Sequence, residues 1–310
     1  MRRAWWCGPL SERVLASIAM SRRSWKRIAC GVLLSIAGAL PALAADAAAA
    51  MARGDAAWDD RAEGAQGGHA ARAPIAAAVA AYEEAVKAAP GNLEAHWKLL
   101  RALWYEGEYV ATTQEEKQRL FGRGKAVSES AWAAVAKRVG ASKLAAERAA
   151  DRAAALRGIP EAPPLLLWSA ADWGLWGNAF GKLAAARQGV GAKVRDWAET
   201  LIALDERFEG GAGHRVLGRL HSEAPKVPFF TGWVDHDKAI TELEKALAIA
   251  PAELSNRFYL ADALLLHRPA AKARALSLLR EVAAAKPRPA SVVEDAASSA
   301  DAARRLAAAK

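Results

Sequence analysis

The chain has 310 residues, with 43 Lys and Arg against 34 Asp and Glu, and its formal net charge is +9. Such an excess suggests a nucleic-acid or membrane-surface partner, but it is concentrated in residues 1–44, which hold seven basic residues and one acidic residue. The rest of the chain holds 36 basic and 33 acidic residues. This near balance gives no support to a phosphate-binding surface, so we expect no nucleic-acid partner.

Residues 1–44 have the pattern of a targeting segment. A basic stretch precedes an apolar run, and Ala42 and Ala44 then stand at the small-residue positions that a signal peptidase requires. A transmembrane anchor is the alternative, but the apolar run is short for a bilayer. We therefore predict a periplasmic protein without a membrane anchor, secreted by cleavage after Ala44. The leader divides into an over-extended start, 1–19, and a signal peptide, 20–44.

Both cysteines, Cys7 and Cys30, lie in this predicted leader. The mature chain would then lack disulfides, thiolate metal sites and cysteine nucleophiles. Cys30 precedes the apolar run, whereas a lipid-attachment cysteine follows it, so we expect no lipid anchor. The chain also lacks the motifs of zinc and serine hydrolases. We expect no metal, no cofactor and no catalysis.

The rest of the chain divides into two parts. Residues 45–72 are rich in Ala, Gly and Asp and show no apolar period, so we predict a disordered or loosely helical linker. Over 73–308 Ala, Leu, Glu, Lys and Arg dominate, β-branched residues are scarce, and Gly and Pro interrupt helical spacing at intervals. We predict an all-α domain of roughly a dozen helices over 73–308.

Two segments of this domain repeat one pattern. Small, bulky and small residues precede a proline with spacings +4, +3 and +5, and the agreement continues into the following helix. The pattern resembles the tetratricopeptide repeat, in which small residues let paired helices approach and proline ends the second helix. Residues 110–235 do not keep the period, so we predict an irregular helix-pair solenoid. The matched residues are Ala78, Tyr82, Ala85 and Pro90 in the first copy and Ala239, Leu243, Ala246 and Pro251 in the second.

An aromatic segment precedes the second copy. At 100° per residue, Trp168, Trp173, Trp176 and Phe180 share one face of a helix, and glycines and alanines share the other. Asp172 projects into the aromatic face, where a buried carboxylate needs a partner or a raised pKa. The rings are either core, with Asp172 bonded to a backbone or basic group, or the wall of a cavity in which Asp172 binds the ligand.

A glycine turn at 210–213 leads into a second candidate segment. His214 and His221 lie two helical turns apart, which is too far for both to ligate one metal directly. The free amides of the helix start, together with Arg215, would suit a carboxylate. The alternative is an ordinary turn between helices.

At these segments the chain resembles the periplasmic T-component family of TRAP transporters, over about residues 74–308. The resemblance implies an extracytoplasmic all-α protein with irregular TPR-like pairs and an apolar pore or cavity. It also implies association with the transporter's solute-binding protein, and a homo-trimer. Ala212 stands where the family's turn has proline. The resemblance rests on the aromatic helix 168–180, the stretch 210–218, the break at Ala224-Pro225 and the repeat Ala239–Pro251.

Three hypotheses about function follow. The first is a non-catalytic accessory component for uptake of organic acids, which binds a solute-binding protein and a small apolar acid. The second is a generic periplasmic TPR scaffold that binds another envelope protein on an open concave face. The third is an enzyme that uses Asp172 or His214. The candidate ligand-binding residues are Trp168, Asp172, Trp173, Trp176, Phe180, His214 and Arg215.

Overall fold

The computed structural model describes residues 44–226 and 231–309. Within them the chain forms fourteen α-helices and no β-strand, so the all-α, solenoid-like prediction is confirmed. The predicted signal peptide, apart from Ala44, lies outside the described residues. Helix α1 covers 44–59, and the others are α2 (Arg72–Ala88), α3 (Leu93–Tyr109), α4 (Gln114–Val139), α5 (Ala141–Leu144), α6 (Ala149–Leu156), α7 (Ala162–Phe180), α8 (Lys182–Arg187), α9 (Val190–Leu204), α10 (Phe208–Glu223), α11 (His236–Ile249), α12 (Leu254–His267), α13 (Lys272–Ala284) and α14 (Val292–Ala308).

The segment 45–72 differs from the expected linker. Helix α1 is regular, and Ala50, Met51 and Trp58 are buried in one apolar cluster with α2 and α3. The Trp58 ring lies edge-on to Tyr105, with 5.5 Å between the ring centroids. An Ala-rich helix without a strong apolar period can still dock through a few small residues and one large ring, because small residues permit close helix approach. Residues from Ala47 onward therefore belong to the compact unit.

The repeat positions have the same burial in both copies. Helices α2 and α3 pack as one pair and α11 and α12 as another. At the small–bulky–small positions every side chain is fully buried, and a third set in α13 is buried in the same way. The shared spacing thus corresponds to shared packing. The buried positions are Ala78, Tyr82 and Ala85 in α2, Ala239, Leu243 and Ala246 in α11, and Ala275, Leu279 and Val282 in α13.

The stack of helices closes on itself through its last helix. Val293 of α14 is fully buried in the same cluster as Trp58 and Tyr105. Gly68, in the loop after α1, lies so close to α14 that a Cβ there would come within 2.6 Å of the Ala297 Cα. The closure leaves a cavity between α3 and α7–α10 on one side and α12 and α14 on the other.

Candidate functional site

The cavity between these helices is partly open to solvent and has a volume of about 1340 Å³. Its wall has an apolar part and a charged part. The apolar part comes mainly from α7, and Trp104 and Tyr109 of α3 extend it, with the Trp104 and Trp168 ring centroids 5.0 Å apart. The charged part comes from α8, α10, α14 and the residues Glu253 and Arg288 outside the helices, together with Arg61 and Arg101.

The cavity lies against the small-residue face of α7, whereas one of the two alternatives above had its aromatic face as the wall of a cavity. Ala171 and Gly174 line the cavity, and a Cβ at Gly174 would meet no atom within 4 Å. Trp168 is the one predicted aromatic residue in the lining of this cavity. The space is open because the residues on the small face of α7 have little or no side chain to fill it.

Two of the other three predicted rings form core. Trp173 and Trp176 pack with Phe121 of α4 and Val194 of α9, and Trp173 is fully buried. Phe180 stacks on Trp176 with 4.7 Å between centroids and leaves 41% of its surface exposed. The large rings face the neighbouring helices that can bury them, because each buried ring removes a large apolar area from water.

Asp172 is a buried carboxyl group without a hydrogen-bond partner among the described residues. It faces the backbone of α4 at Gly124 and does not line the main cavity. Burial raises the pKa of Asp172 well above its usual range, and the nearby charge of Glu108 adds to the shift. The side chain therefore favours its neutral form and is not placed to bind a ligand in the cavity.

The glycine turn both precedes regular helix and allows close packing of α10 against α11. Glu209, Gly210 and Gly211 all adopt left-handed backbone angles, and regular helix follows them. A Cβ at Gly211 would lie 3.2 Å from the Ala246 Cα, and one at Gly218 would lie 2.6 Å from Leu243 Cγ. The small residues of the motif thus let α10 approach α11 closely.

His214 turns away from the cavity. It is buried, with Nδ1 2.5 Å from Glu242 Oε2 and Nε2 3.1 Å from Glu206 Oε1. Burial alone would lower the pKa of His214, but the bonds to Glu242 and Glu206 outweigh it and raise the pKa. His214 therefore fastens α10 to α11, and the expectation that it contacts a ligand does not fit its position.

Arg215 is the predicted residue of this segment that reaches the cavity. Its Nη1 donates to Asn256 Oδ1 at 2.9 Å. Asn256 is fully buried and its Nδ2 donates to the backbone oxygens of Gly210, Ala246 and Ala250. The Arg215 guanidinium is held in place by a neutral amide, so its charge is not neutralised by that contact.

Most other charged side chains of the lining are paired. Arg219 Nε lies 2.7 Å from Glu223, and Arg61 Nε lies 3.6 Å from Glu294. Arg288 contacts a carboxylate of α14 and another just before α12, Asp295 at 2.7 Å and Glu253 at 2.8 Å.

Three lining residues that sequence reasoning missed are Trp58, Arg101 and Glu209. The Arg101 guanidinium lies 3.8 Å from the centroid of the Trp58 ring, and its Nε is buried without a hydrogen-bond partner among the described residues. Trp58 was hidden in the segment expected to be a linker. An isolated tryptophan followed by Arg61 in an otherwise Ala-rich stretch was the available signal that this segment packs.

A second, smaller pocket of about 370 Å³ lies behind α7. It is lined by Trp132, Trp173 and Trp197, and the Lys193 ammonium lies 3.8 Å from the Trp173 ring centroid. Trp173 is thus next to a pocket, but not to the large cavity.

Among the described residues, no group of three or more His, Cys, Asp or Glu side chains is arranged to hold a metal ion. None of the described helices combines the length and apolar character needed to cross a membrane. No protein-family model matches the chain, and no curated protein matches it. The resemblance to the T-component family therefore stays a prediction that rests on the sequence motifs.

Proposed function

We propose that this protein is a non-catalytic periplasmic component of a TRAP-type organic-acid uptake system. It holds an apolar acid in the cavity and docks onto the system's solute-binding protein, as a homo-trimer. The observation that carries the proposal is the 1340 Å³ cavity, which combines an apolar wall with two arginines, Arg101 and Arg215, that form no ion pair within the described residues. Binding pockets are typically concave and mostly apolar, with a few placed polar groups.

The closed stack supports this function over the generic scaffold. A TPR scaffold that binds a peptide needs an open concave groove. Here α14 returns to α3 and the loop after α1, with Val293 buried beside Tyr105. The interior is thus better suited to a small molecule than to an extended peptide.

The test combines partner capture with ligand detection. The tagged protein is purified from the periplasm of its own host after mild cross-linking, and captured proteins and co-purified small molecules are identified by mass spectrometry. We expect a TRAP solute-binding protein and an acid bound in the cavity. Capture of envelope-assembly proteins, with no solute-binding protein and no bound small molecule, would contradict the proposal.

A variant with a larger side chain in the cavity tests whether the co-purified acid is bound there. Gly174→Phe places a ring in the open space beside α7, so we expect the co-purified acid to be lost. Gly91→Phe is the matched control, because a Cβ at Gly91 would also meet no atom within 4 Å, yet Gly91 does not line the cavity. An acid that binds Gly174→Phe as tightly as the unaltered protein does not contact the wall at Gly174.

A further inference from the structure

The charge of the cavity lining favours an anion. Seven basic and five acidic residues line it, so the basic groups are in excess. Lys182 and Arg187 are exposed on α8, whereas Arg101 and Arg215 are half-buried on α3 and α10. The two half-buried arginines hold positive charge where water screens it least.

Arg101 is held by aromatic rings. Its guanidinium lies 3.8 Å from the centroid of Trp58 and 4.9 Å from that of Trp97. Guanidinium groups stack on indole rings and keep their edge donors available. Burial lowers the pKa of Arg101, yet a guanidinium stays protonated at any physiological pH. The arrangement therefore favours an anion at the edge of Arg101.

Glu209 is the acid near both arginines. The charges of Arg215 and Arg101 act to lower the pKa of Glu209, but burial outweighs them and raises it. Its side chain makes no hydrogen bond or ion pair within the described residues, although its exposed surface lines the cavity. Its φ of 42° is the one positive φ among the described non-glycine residues. Backbone strain of this kind persists where surrounding structure enforces it, and it is frequent at functional sites.

The volume of the cavity indicates how large the apolar part of the ligand is. At about 1340 Å³ it exceeds the roughly 300–1,000 Å³ of ordinary small-molecule pockets. A short acid would leave most of the apolar wall around Trp104 and Trp168 exposed to water. A long apolar body would cover it and gain the free energy of burial.

We infer that Arg101 and Arg215 bind the carboxylate of a long-chain amphiphile, whose apolar body lies along the Trp104–Trp168 wall, and that Glu209, which lines the same cavity, weakens this binding through its negative charge. The inference rests on the proposed function only in requiring that the cavity hold a ligand. It replaces the small acid expected from the sequence with a larger one, and it assigns the head group to residues of α3 and α10.

Calorimetric titration of the purified full-length protein tests the site with three probes. Decanoate carries both parts of the proposed ligand, decan-1-ol has the chain without the charge, and butanoate has the charge without the chain. We expect decanoate to bind at least about tenfold more tightly than either of the others, because decan-1-ol lacks the stronger hydrogen bonds of a charged group and butanoate buries less apolar surface.

Variants then locate the head group. Arg215→Met and Arg101→Met should each reduce decanoate affinity to about that of decan-1-ol, and circular dichroism checks that they remain folded. Glu209→Gln should increase decanoate affinity, since it removes a negative charge from the cavity lining. This variant tests the site even if the two arginine variants do not fold. Arg257→Met is the control, because Arg257 faces Glu281 at 3.7 Å outside the cavity lining, and it should bind like the unaltered protein.

The contrary outcomes separate the two proposals. Equal binding of decanoate and decan-1-ol, unaffected by the variants, would overturn the head-group site and leave the cavity as a ligand site. Unchanged or weaker decanoate binding in Glu209→Gln would overturn the role assigned to Glu209. If neither long-chain probe binds, the head-group site fails, and the ligand-holding part of the proposed function fails with it.

Discussion

Gly124 of α4 lies directly against the Asp172 carboxyl group of α7, so that a Cβ at Gly124 would stand 2.7 Å from Asp172 Cγ. The two helices approach at a point where one residue has no side chain and the other presents an unpartnered acid. This contact fixes α7 with its rings toward α4 and α9 and its small residues toward the cavity.

The contact predicts opposite effects of two neighbouring substitutions. Gly124→Ala should destabilise the protein by about 1–3 kcal/mol, because the added methyl group overlaps a buried neighbour. Gly122→Ala should stabilise it by about 1 kcal/mol, because Gly122 has open space around it and alanine favours helix. Urea unfolding measures both. Equal effects of the two substitutions would show that α4 and α7 do not meet closely here.

Asp172 should make stability depend on pH. Its folded-state pKa is raised by burial, so the folded protein binds a proton that the unfolded chain releases above about pH 4. Stability is therefore lost as the pH rises from that value toward the folded-state pKa. Asp172→Asn should remove this loss and raise the melting temperature more at neutral than at acidic pH. Asp151→Asn, at an exposed position, is the control and should leave the pH profile unchanged.

Glu209 should carry a backbone penalty. A left-handed conformation costs an L-residue roughly 1–2 kcal/mol, and glycine avoids that cost. Glu209→Gly should thus raise the free energy of unfolding by about 1 kcal/mol. Glu209→Ala removes the same carboxylate but keeps the Cβ, so it should not give this gain. Equal stabilities of the two variants in thermal unfolding would argue against strain at this position.

Asn256 should be essential for the packing of the glycine turn. Its side chain donates to three backbone oxygens and accepts from Arg215. Asn256→Ala removes these bonds at a fully buried position and should cost about 3 kcal/mol. Asn178→Ala, at an exposed position of α7, should cost less than about 0.5 kcal/mol. Unfolding in urea compares the two, and similar small costs would mean that the turn does not depend on this network.

The repeat spacing predicts burial correctly because it reflects packing between helices that are consecutive in the chain. The small residues of α2 and α11 recur at equal offsets, and each is buried as its partner is. Arg215 was also accessible to sequence reasoning, since a glycine turn and a following basic residue lie within a few positions of each other. Features of this kind depend on the spacing of residues a few positions apart, which can be read from the sequence.

Residue spacing alone predicts the helical class, the paired repeats and the amphipathic division of α7 into a large-ring face and a small-residue face. Which of those faces borders the cavity is seen only in the folded chain, because it depends on where α4, α9 and α14 lie. The tertiary structure also decided that Trp58, Arg101 and Glu209 share one wall, although they come from helices far apart in the chain. The physical reason is that hydrophobic periodicity specifies a buried face but not the neighbour that buries it, and a cavity exists only where no neighbour fills the space.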